Sequence, residues 1–371
     1  MKLRLKQRAT TLAIFFALMA VLGSMVVVSG VAPIRASSGH WAITKWFLAF
    51  SKNRSVATHS LGIKAPELDD LGRVRRGAGH YETACANCHG SPLRARSPVA
   101  LAMTPTPPLL PPLVERRKPR ELYYVVQHGI LFAGMPAWPT QKRPEEVWDV
   151  VAFLVRLPQI DRDEYLRLIS PETRPAPLPT ADGVATAPLA TCTRCHGADG
   201  GGGPGGAFPR LVGQPSEYLL DSLEAYAAGE RHSGVMQTVA AVLTDEERRV
   251  LANHFGKMMA PGTDPTASPE DSEAIARGRK IAEHGLPDAN VPSCIDCHGP
   301  GEQPISENYP RLAGQPTWYL ERQLRLFHAG HRGGGANAHL MDTVAANLQE
   351  TSYRDVAMYY SSLGNASQED D

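Results

Sequence analysis

A long uncharged run behind a basic start is the first pattern along the chain. Lysine and arginine fill four of the first eight positions, and residues 9–34 then carry no charge. This run of 26 residues is longer than the roughly 20 helical residues that cross a bilayer core. It predicts that residues 1–38 form a basic N-terminus and a transmembrane anchor, with a cleaved signal peptide as the alternative. In both cases positive charge stays inside and the remaining chain is exported.

Aromatic residues follow this apolar run. Trp41, Trp46, Phe47 and Phe50 lie within the stretch HWAITKWFLAF. Aromatic side chains favour the membrane–water interface, so residues 39–66 are predicted to form an interfacial juxtamembrane segment. Packing of the same side chains on the first folded domain is the alternative.

Beyond residue 66, apolar positions recur with a helical period. In EEVWDVVAFLVRL, Val147, Val150, Val151 and Leu154 mark one apolar face, whereas no convincing alternating pattern predicts a strand. The pattern predicts middle helices at 120–127, 216–228 and 317–329, and closing helices at 145–157, 245–257 and 352–363. We therefore expect an all-α architecture.

Two proline-rich stretches divide the exported part of the chain. Residues 171–180, PETRPAPLPT, and residues 261–269, PGTDPTASP, are predicted linkers because proline favours extended, semi-rigid chain. The division gives domains at residues 67–170, 185–262 and 263–371, with the first linker at 171–184.

The second and third of these units are repeats of each other. The segments that begin at Phe208 and Tyr309 share Pro-Arg-Leu, Gly-Gln-Pro, Tyr-Leu and Gly-x-Arg in register. The stretch MQTVAAVL at Met236 then matches MDTVAANL at Met341, after four extra residues in the third unit. Such self-similarity indicates a duplicated domain.

Composition limits the class of partner. The 371 residues suffice for two or three domains, and 43% of them are hydrophobic. Lysine plus arginine equals aspartate plus glutamate at 38 each, so the chain has no signature of nucleic-acid binding.

All six cysteines lie in three Cys-x-x-Cys-His motifs, each followed by glycine. The cysteines are Cys85, Cys88, Cys192, Cys195, Cys294 and Cys297, and the histidines are His89, His196 and His298. A structural zinc site needs four ligands, and each motif offers two cysteines and one adjacent histidine. A dithiol switch would need a thioredoxin-like alternation of strands and helices, and it gives the histidine no role.

Covalent haem uses every residue of the motif. Two thiols one helical turn apart add to the two vinyl groups of the porphyrin, and the next residue points its imidazole at the iron. The sequence therefore predicts three covalently bound haem c groups, with His89, His196 and His298 as axial ligands.

On these motifs, the three units resemble class I cytochrome c domains. Residues 185–371 resemble the dihaem cytochromes of the c-four type through Cys-x-x-Cys-His-Gly, Pro-Arg-Leu, Gly-Gln-x-x-x-Tyr-Leu and Gly-x-Arg. The resemblance implies three tandem cytochrome c domains after a transmembrane helix. It also implies that a proline carbonyl accepts a hydrogen bond from the axial histidine. Pro209 and Pro310 match that proline, whereas PTPPLLPP in the first unit offers several candidates.

One feature departs from the family. A helix precedes each haem motif in the family, and residues 69–81 and 270–285 supply it in the first and third units. The second unit has only TADGVATAPLAT there, with Pro188 inside, so its first helix is expected to be short or missing. Its haem is then either more exposed or covered by a neighbouring domain.

Methionines are the expected distal iron ligands. Met135, Met236 and Met341 lie 46, 40 and 43 residues after the motif histidines, and each is predicted to lie in a loop between two helices. A thioether ligand raises the potential and closes the iron to substrates. Core packing is expected for Met258, Met259 and Met358, and Met103 is expected to be a poor ligand.

Other polar residues near the predicted haems carry two interpretations each. Arg231 and Arg332 either pair with haem propionates or are solvated at helix ends. Tyr218 and Tyr319 either reach a propionate or pack as aromatic side chains. Surface positions are expected for His128, His232, His328, His331 and His339.

The predicted function is electron transfer without bond chemistry of the protein's own. We expect a trihaem cytochrome c anchored in a bacterial inner membrane, with its N-terminus in the cytoplasm and its haem domains in the periplasm. By analogy with the family, the expected partner is a terminal oxidase, with a quinol-oxidising complex or a soluble cytochrome upstream. The alternatives are a cytochrome subunit of a periplasmic dehydrogenase and a haem peroxidase.

Overall fold

The protein is mostly helical, as predicted. The computed structural model describes residues 2–31, 35–170, 186–258, 271–299 and 306–363, and within these residues there is no strand beyond isolated bridges. The two predicted linkers lie outside the described residues. The helices are α1 (Lys2–Ser29), α2 (Ala42–His59), α3 (Leu71–His80), α4 (Ala86–His89), α5 (Pro98–Leu101), α6 (Pro111–Val114), α7 (Pro119–His128), α8 (Pro144–Arg156), α9 (Arg162–Ile169), α10 (Thr186–His196), α11 (Ser216–Ala227), α12 (Met236–Ala240), α13 (Asp245–Gly256), α14 (Ser272–His284), α15 (Ile295–His298), α16 (Thr317–His328), α17 (Ala338–Asn347) and α18 (Glu350–Ser362).

Three helical units follow the two N-terminal helices. We refer to α3–α9 as the first domain, α10–α13 as the second and α14–α18 as the third. The predicted middle helices correspond to α7, α11 and α16, and the predicted closing helices to α8, α13 and α18. Their bounds differ from the prediction by one or two residues, which is the usual uncertainty at helix ends.

The N-terminal helix α1 is long and apolar enough to cross a membrane over residues Gln7–Ser29. Its apolar side chains are unburied all round, as lipid would require and a protein core would not. The next helix, α2, is held at its C-terminal half, where Val56 is buried and His59 stacks on Tyr124 with 5.9 Å between ring centroids.

The aromatic side chains around the start of α2 do not pack on the first domain. Trp41, Trp46, Phe47 and Phe50 are all exposed, and the contact within the group is a stack of Trp46 on Phe50 with 5.8 Å between centroids. The packing alternative is therefore wrong for these four residues, because the helix turns them away from α7.

Two glycines let the first helix of a domain cross its closing helix closely. An added Cβ at Gly77 of α3 would lie 2.0 Å from the Asp149 carbonyl oxygen of α8. The same relation recurs in the third domain, where a Cβ at Gly278 would lie 2.0 Å from the Asp355 carbonyl oxygen. Any larger residue would push the helices apart, so both crossings depend on glycine.

From Thr186 to Met258, the described part of the second domain, there is no such crossing, and the first domain covers the motif instead. From Thr186 onward a single helix, α10, runs directly into the motif, with Pro188 in its first turn. Gly79 of α3 faces this motif, since an added Cβ there would lie 3.1 Å from Cys195 Sγ and 3.3 Å from the Phe208 ring. Of the two predicted outcomes, cover by a neighbouring domain is the one observed.

The loop predicted around two of the methionines is wrong. Met236 is the first residue of α12, and Met341 lies inside α17. The Thr-Val-Ala-Ala stretch that follows each of them continues in helical conformation, since alanine has the highest helix propensity. Met135 does lie in a non-helical segment between α7 and α8.

All three domains meet at Asp149 of α8. Its buried carboxylate accepts from Arg73 and Arg76 of its own domain, at 3.1 and 2.8 Å, and from Arg322 of the third domain at 3.2 Å. The Trp318 ring lies beneath the Arg76 guanidinium at 4.0 Å, and its Nε1 donates to the carbonyl of Gly206 in the second domain at 2.8 Å. The junction therefore ties the first domain to both of the others.

Candidate haem centres

Each Cys-x-x-Cys-His motif occupies the end of a helix. The motifs close α4, α10 and α15, and the glycines that follow, Gly90, Gly197 and Gly299, have φ values of 76, 84 and 67°. The two cysteines of a motif are three residues apart on helical backbone, so both thiols lie on one side. The left-handed glycine turns the chain away directly after the histidine.

The motif histidines are oriented by proline carbonyls. Nδ1 of His89, His196 and His298 lies 3.0, 2.8 and 2.9 Å from the carbonyl oxygens of Pro108, Pro209 and Pro310, respectively. Donation of the Nδ1 proton leaves the Nε2 lone pair free for a metal, which is the arrangement of a histidine ligand with an oriented ring. Pro108 is the member of PTPPLLPP that takes this position, which the sequence did not distinguish.

Burial keeps these groups neutral. It lowers the pKa of His89, His196 and His298, although the proline hydrogen bond works in the opposite direction. It also raises the thiol pKa of Cys85 and Cys192 to about 12, and that of Cys195 and Cys294 to about 11. A buried thiol with so high a pKa is a poor dithiol nucleophile. Across the described residues, no three His, Cys, Asp or Glu side chains are grouped to hold a metal ion.

One continuous cavity of about 710 Å³ connects the motifs of the second and third domains. Its lining includes the cysteines, histidines and candidate methionines of both: Cys192, Cys195, His196, Met236, Cys294, Cys297, His298 and Met341. Arg76, Gly79 and His80 of α3 contribute to the same wall. The second and third motif histidines and their predicted methionines therefore line one shared apolar space.

Arg231 and Arg332 are buried at the boundary of the two domains, so the solvated alternative is wrong. Arg231 donates to Ser222 Oγ at 2.7 Å and, across the boundary, to Tyr319 Oη at 3.2 Å. Arg332 reaches Tyr218 Oη of the second domain at 3.4 Å. Burial raises the pKa of Tyr218, but the two guanidinium groups outweigh burial and lower it.

The two arginines form a site that suits carboxylates. Both line the cavity, and within the described residues neither Arg231 nor Arg332 has a carboxylate within ion-pair distance. Two buried cations with neutral partners are costly unless anions compensate them. Haem propionates would supply that charge, so the residues present fit a haem whose edge lies at this boundary.

Tyr360 of α18 was missed by the sequence analysis. Its side chain is almost fully buried, its hydroxyl has no protein partner, and it lines the cavity beside the third motif. A buried hydroxyl normally has a partner, so this orphan also fits a site completed by a bound group. An isolated tyrosine in a helix carries no signal of such a role.

The remaining candidates are spread around the motifs. Met103, which was expected to be a poor ligand, packs on Gly134 beside Met135, because an added Cβ at Gly134 would overlap the Met103 thioether. Met358 is buried and Met258 packs on the core of the second domain, whereas Met259 lies outside the described residues. The extra histidines His128, His328, His331 and His339 are exposed, and His232 is half-buried with Nε2 2.9 Å from Lys142 Nζ.

Comparisons with known proteins find similarity to cytochromes c. The family profile described as "Cytochrome C oxidase, cbb3-type, subunit III" matches residues 72–154, and that described as "Cytochrome c" matches residues 180–277. The thiosulfate dehydrogenase electron acceptor of Thiomonas intermedia is 36% identical over 181 residues, which are 49% of this chain and 82% of that protein. Cytochrome c4 of Pseudomonas aeruginosa is 33% identical over 180 residues, which are 48% of this chain and 86% of that protein. The crystal structure of reduced cytochrome c4 from Pseudomonas stutzeri covers 49% of this chain at 29% identity, with a TM-score of 0.44.

Proposed function

Because this chain belongs to the cytochrome c family, we propose that it is a membrane-anchored electron carrier with three covalent haem c groups. Each bound haem would supply one-electron chemistry at an iron that cycles between ferrous and ferric states. The protein contributes thiols for attachment, axial ligands, and burial. The observation that carries the proposal is the shared cavity, in which both motifs, both methionines and two uncompensated arginines converge.

Two features support a haem in every motif. The profile matches include the first and second motifs. The third motif repeats the histidine–proline hydrogen bond of the other two at 2.9 Å. Met135, Met236 and Met341 are assigned as distal ligands, and Arg231, Arg332, Tyr218 and Tyr319 as residues that face the propionates.

The second haem is assigned the middle position in the relay. Helix α3 faces Cys195 at Gly79 and continues through Tyr81–Cys85 into the first motif. Six residues separate Gly79 from Cys85, which is about 9 Å along a helix. The second and third motifs share one cavity. Electrons would therefore pass between the first and third haems by way of the second.

Features at both ends of the N-terminal region support anchorage in a bacterial inner membrane. The basic start favours a cytoplasmic N-terminus, which leaves the haem domains in the periplasm. The exposed aromatic side chains around the start of α2 suit the outer interface. Thr104 Oγ1 donates to the Ala36 carbonyl at 2.7 Å, which supports a position of the first domain close to the membrane.

The partners are proposed from the relatives. Two similar proteins are named thiosulfate dehydrogenase electron acceptors, and their similarity favours a periplasmic dehydrogenase as the electron donor. The first domain matches a profile named for an oxidase subunit and lies beside the anchor, which favours a membrane-bound terminal oxidase as the acceptor. A quinol-oxidising complex or a soluble cytochrome would be an alternative donor.

The proposal is tested with the full chain in lipid nanodiscs. Mass spectrometry of the denatured protein should find three retained haems. A thiosulfate-oxidising dehydrogenase should reduce the chain, and oxidase-containing membranes should reoxidise it. The variant Cys85→Ser/Cys88→Ser should still be reduced but should lose reoxidation, whereas Cys294→Ser/Cys297→Ser should keep it.

Two results would reject parts of this function. Two or fewer haems in a fully matured sample would reject a haem in at least one motif. Unchanged reoxidation without the first haem would reject the proposed direction of the relay. Peroxide turnover by the purified protein would favour the peroxidase alternative.

A further inference from the structure

Both oxygens of one carboxylate in the first domain accept hydrogen bonds from a segment of the second domain. Glu146 of α8 is buried, its Oε1 accepts from Ser233 Oγ at 2.7 Å, and its Oε2 accepts from the Gly234 backbone N–H at 2.7 Å. Arg143, one turn earlier, forms an ion pair with Glu146 at 3.0 Å and donates to the His232 carbonyl at 2.6 Å. Hydrogen bonds to a charged group are the stronger kind, so this contact is specific as well as close.

The segment that binds Glu146 lies just before the candidate distal ligand of the second haem, Met236. Ser233 Oγ, which donates to Glu146, also accepts from the Met236 backbone N–H at 3.0 Å. Ser233 N donates to Gln237 Oε1 at 3.1 Å. A single serine therefore connects the carboxylate of the first domain to the first turn of α12.

Trp138 of the first domain packs against another side of the same segment. An added Cβ at Gly234 would lie 2.1 Å from Trp138 Nε1, so the indole rests directly on this glycine. The first domain thus contacts the Gly234 backbone N–H, the Ser233 hydroxyl and the surface of Gly234. The residues 232–234 have little freedom to move without breaking these contacts.

In the third domain the approach to Met341 is held differently: the Arg332 carbonyl accepts from the His232 backbone N–H of the second domain at 3.0 Å, and no contact with the first domain corresponds to that of Glu146 in the described residues. Between Arg332 and Met341 it carries the four extra residues, and Gly333 and Gly334 have φ values of 58 and 137°. From Ala336 onward the contact is local, since His339 Nδ1 lies 2.8 Å from the Ala336 carbonyl. The two repeated domains therefore differ in what holds the approach to their methionines.

We propose that Glu146 is a positioning residue that fixes Met236 as the distal ligand of the second haem, so that docking of the first domain tunes that haem. This inference rests on the proposed function, because it requires a haem in the second motif. Glu146 acts through Ser233 and does not touch the iron. Loss of the restraint lets α12 shift, weakens the bond between sulfur and iron, and lowers the potential, because methionine ligation raises it.

The test uses the full-length protein with its haems. Glu146→Ala should lower the potential of one haem of the three and leave the other two unchanged. In the ferric protein, the weak absorption at the red end of the visible spectrum should fall by up to about one third, because one of three methionine bonds is affected. Imidazole should also bind one ferric haem faster, since a loosened thioether leaves the sixth position open more often.

Matched variants separate positioning from general stability. Glu164→Ala removes a carboxylate of the same domain that is paired with Arg156 at 3.1 Å, so it should change none of the three readouts. Ser233→Ala keeps the Arg143–Glu146 pair and should reproduce the effect of Glu146→Ala on one haem. The double variant should add little to either single variant, because both break one connection.

The outcomes are distinguishable. Unchanged potentials and absorption in both Glu146→Ala and Ser233→Ala would overturn the inference, and Ser233→Ala decides alone if Glu146→Ala does not fold. Shifts of all three potentials would also overturn it, since they indicate a global effect. Failure of the proposed function would appear earlier, as fewer than three haems or no red absorption in the unsubstituted protein.

Discussion

Gln214 and Gln315 make the same two backbone hydrogen bonds in opposite directions across the boundary between the second and third domains. Gln214 donates to the Arg311 carbonyl at 2.8 Å and accepts from its N–H at 2.9 Å. Gln315 donates to the Arg210 carbonyl at 2.8 Å and accepts from its N–H at 3.0 Å. The partners directly follow Pro209 and Pro310, so each glutamine steadies the loop that orients the other domain's motif histidine.

The first prediction concerns this reciprocal pair. Gln315→Ala should destabilise the protein by about 1–3 kcal/mol, because it removes both hydrogen bonds that Gln315 makes with the buried backbone of Arg210. Chemical unfolding followed by circular dichroism measures the effect. Gln349→Ala, at an exposed position, is the control and should be near neutral. Equal effects of the two substitutions would contradict a role of the pair.

The second prediction concerns the junction of the three domains. Asp149→Ala should cost about 3–5 kcal/mol, since it leaves three arginines around a buried site without their carboxylate. Asp355→Ala is the matched control, because Asp355 binds Arg277 at the equivalent helix crossing but that arginine is exposed. An exposed pair contributes about 0–1 kcal/mol. Urea unfolding should show a larger loss of unfolding free energy for Asp149→Ala than for Asp355→Ala. A larger loss for Asp355→Ala would refute the argument.

The third prediction concerns the buried arginines. Arg231→Gln should lower the potential of a neighbouring haem, because a positive charge stabilises the ferrous form over the ferric form. A unit charge near 10 Å at an effective dielectric constant of about 20 contributes roughly 1–2 kcal/mol. Spectroelectrochemical titration checks the shift. Arg249→Gln, an exposed arginine of the same domain, should leave all potentials unchanged.

The fourth prediction concerns pH. His80 is buried and packs against Trp138 in a tilted arrangement with 4.6 Å between ring centroids, and burial lowers its pKa to about 4. The unfolded chain, with a pKa near 6.5, then binds more protons than the native state, so stability is complete above about pH 6.5 and falls as the pH drops towards 4. The loss should reach about 3 kcal/mol.

His80→Phe isolates this contribution. Other groups titrate in the same window, so the difference between the variant and the unsubstituted protein is the relevant quantity. That difference should change with pH between about 4 and 6.5 and stay constant above. His284→Phe, at an exposed position, should show no such difference. A pH-independent difference for His80→Phe would contradict the buried neutral imidazole.

The fifth prediction concerns the third haem. Met341→Ala should remove about one third of the red absorption of the ferric protein and lower one potential. His339→Ala should change neither, since His339 is exposed and its Nδ1 lies 2.8 Å from the Ala336 carbonyl. Loss of the band in the histidine variant but not in the methionine variant would assign bis-histidine ligation.

Local patterns were enough to predict most of the helices and the covalent chemistry. The apolar face of Val147, Val150, Val151 and Leu154 is buried as its period indicates, because that period survives any arrangement of neighbours. The Cys-x-x-Cys-His spacing is equally local, since one helical turn sets both thiols and the next residue sets the imidazole. The choice of Pro108 among several prolines was not local, because it depends on how that loop folds back over His89.

The sequence by itself therefore determined which residues form helices, which cysteines and histidines share a motif, and that two domains are repeats. Only the tertiary structure decided what crosses the domain boundaries. Arg231 and Arg332 look like solvated helix ends in sequence, and they become buried because two domains close over them. Glu146, Asp149 and His80 carry no motif at all, since their partners Ser233, Arg322 and Trp138 lie 87, 173 and 58 residues away in the chain. Contacts of that range depend on how whole domains pack, and no periodicity or spacing within one segment records them.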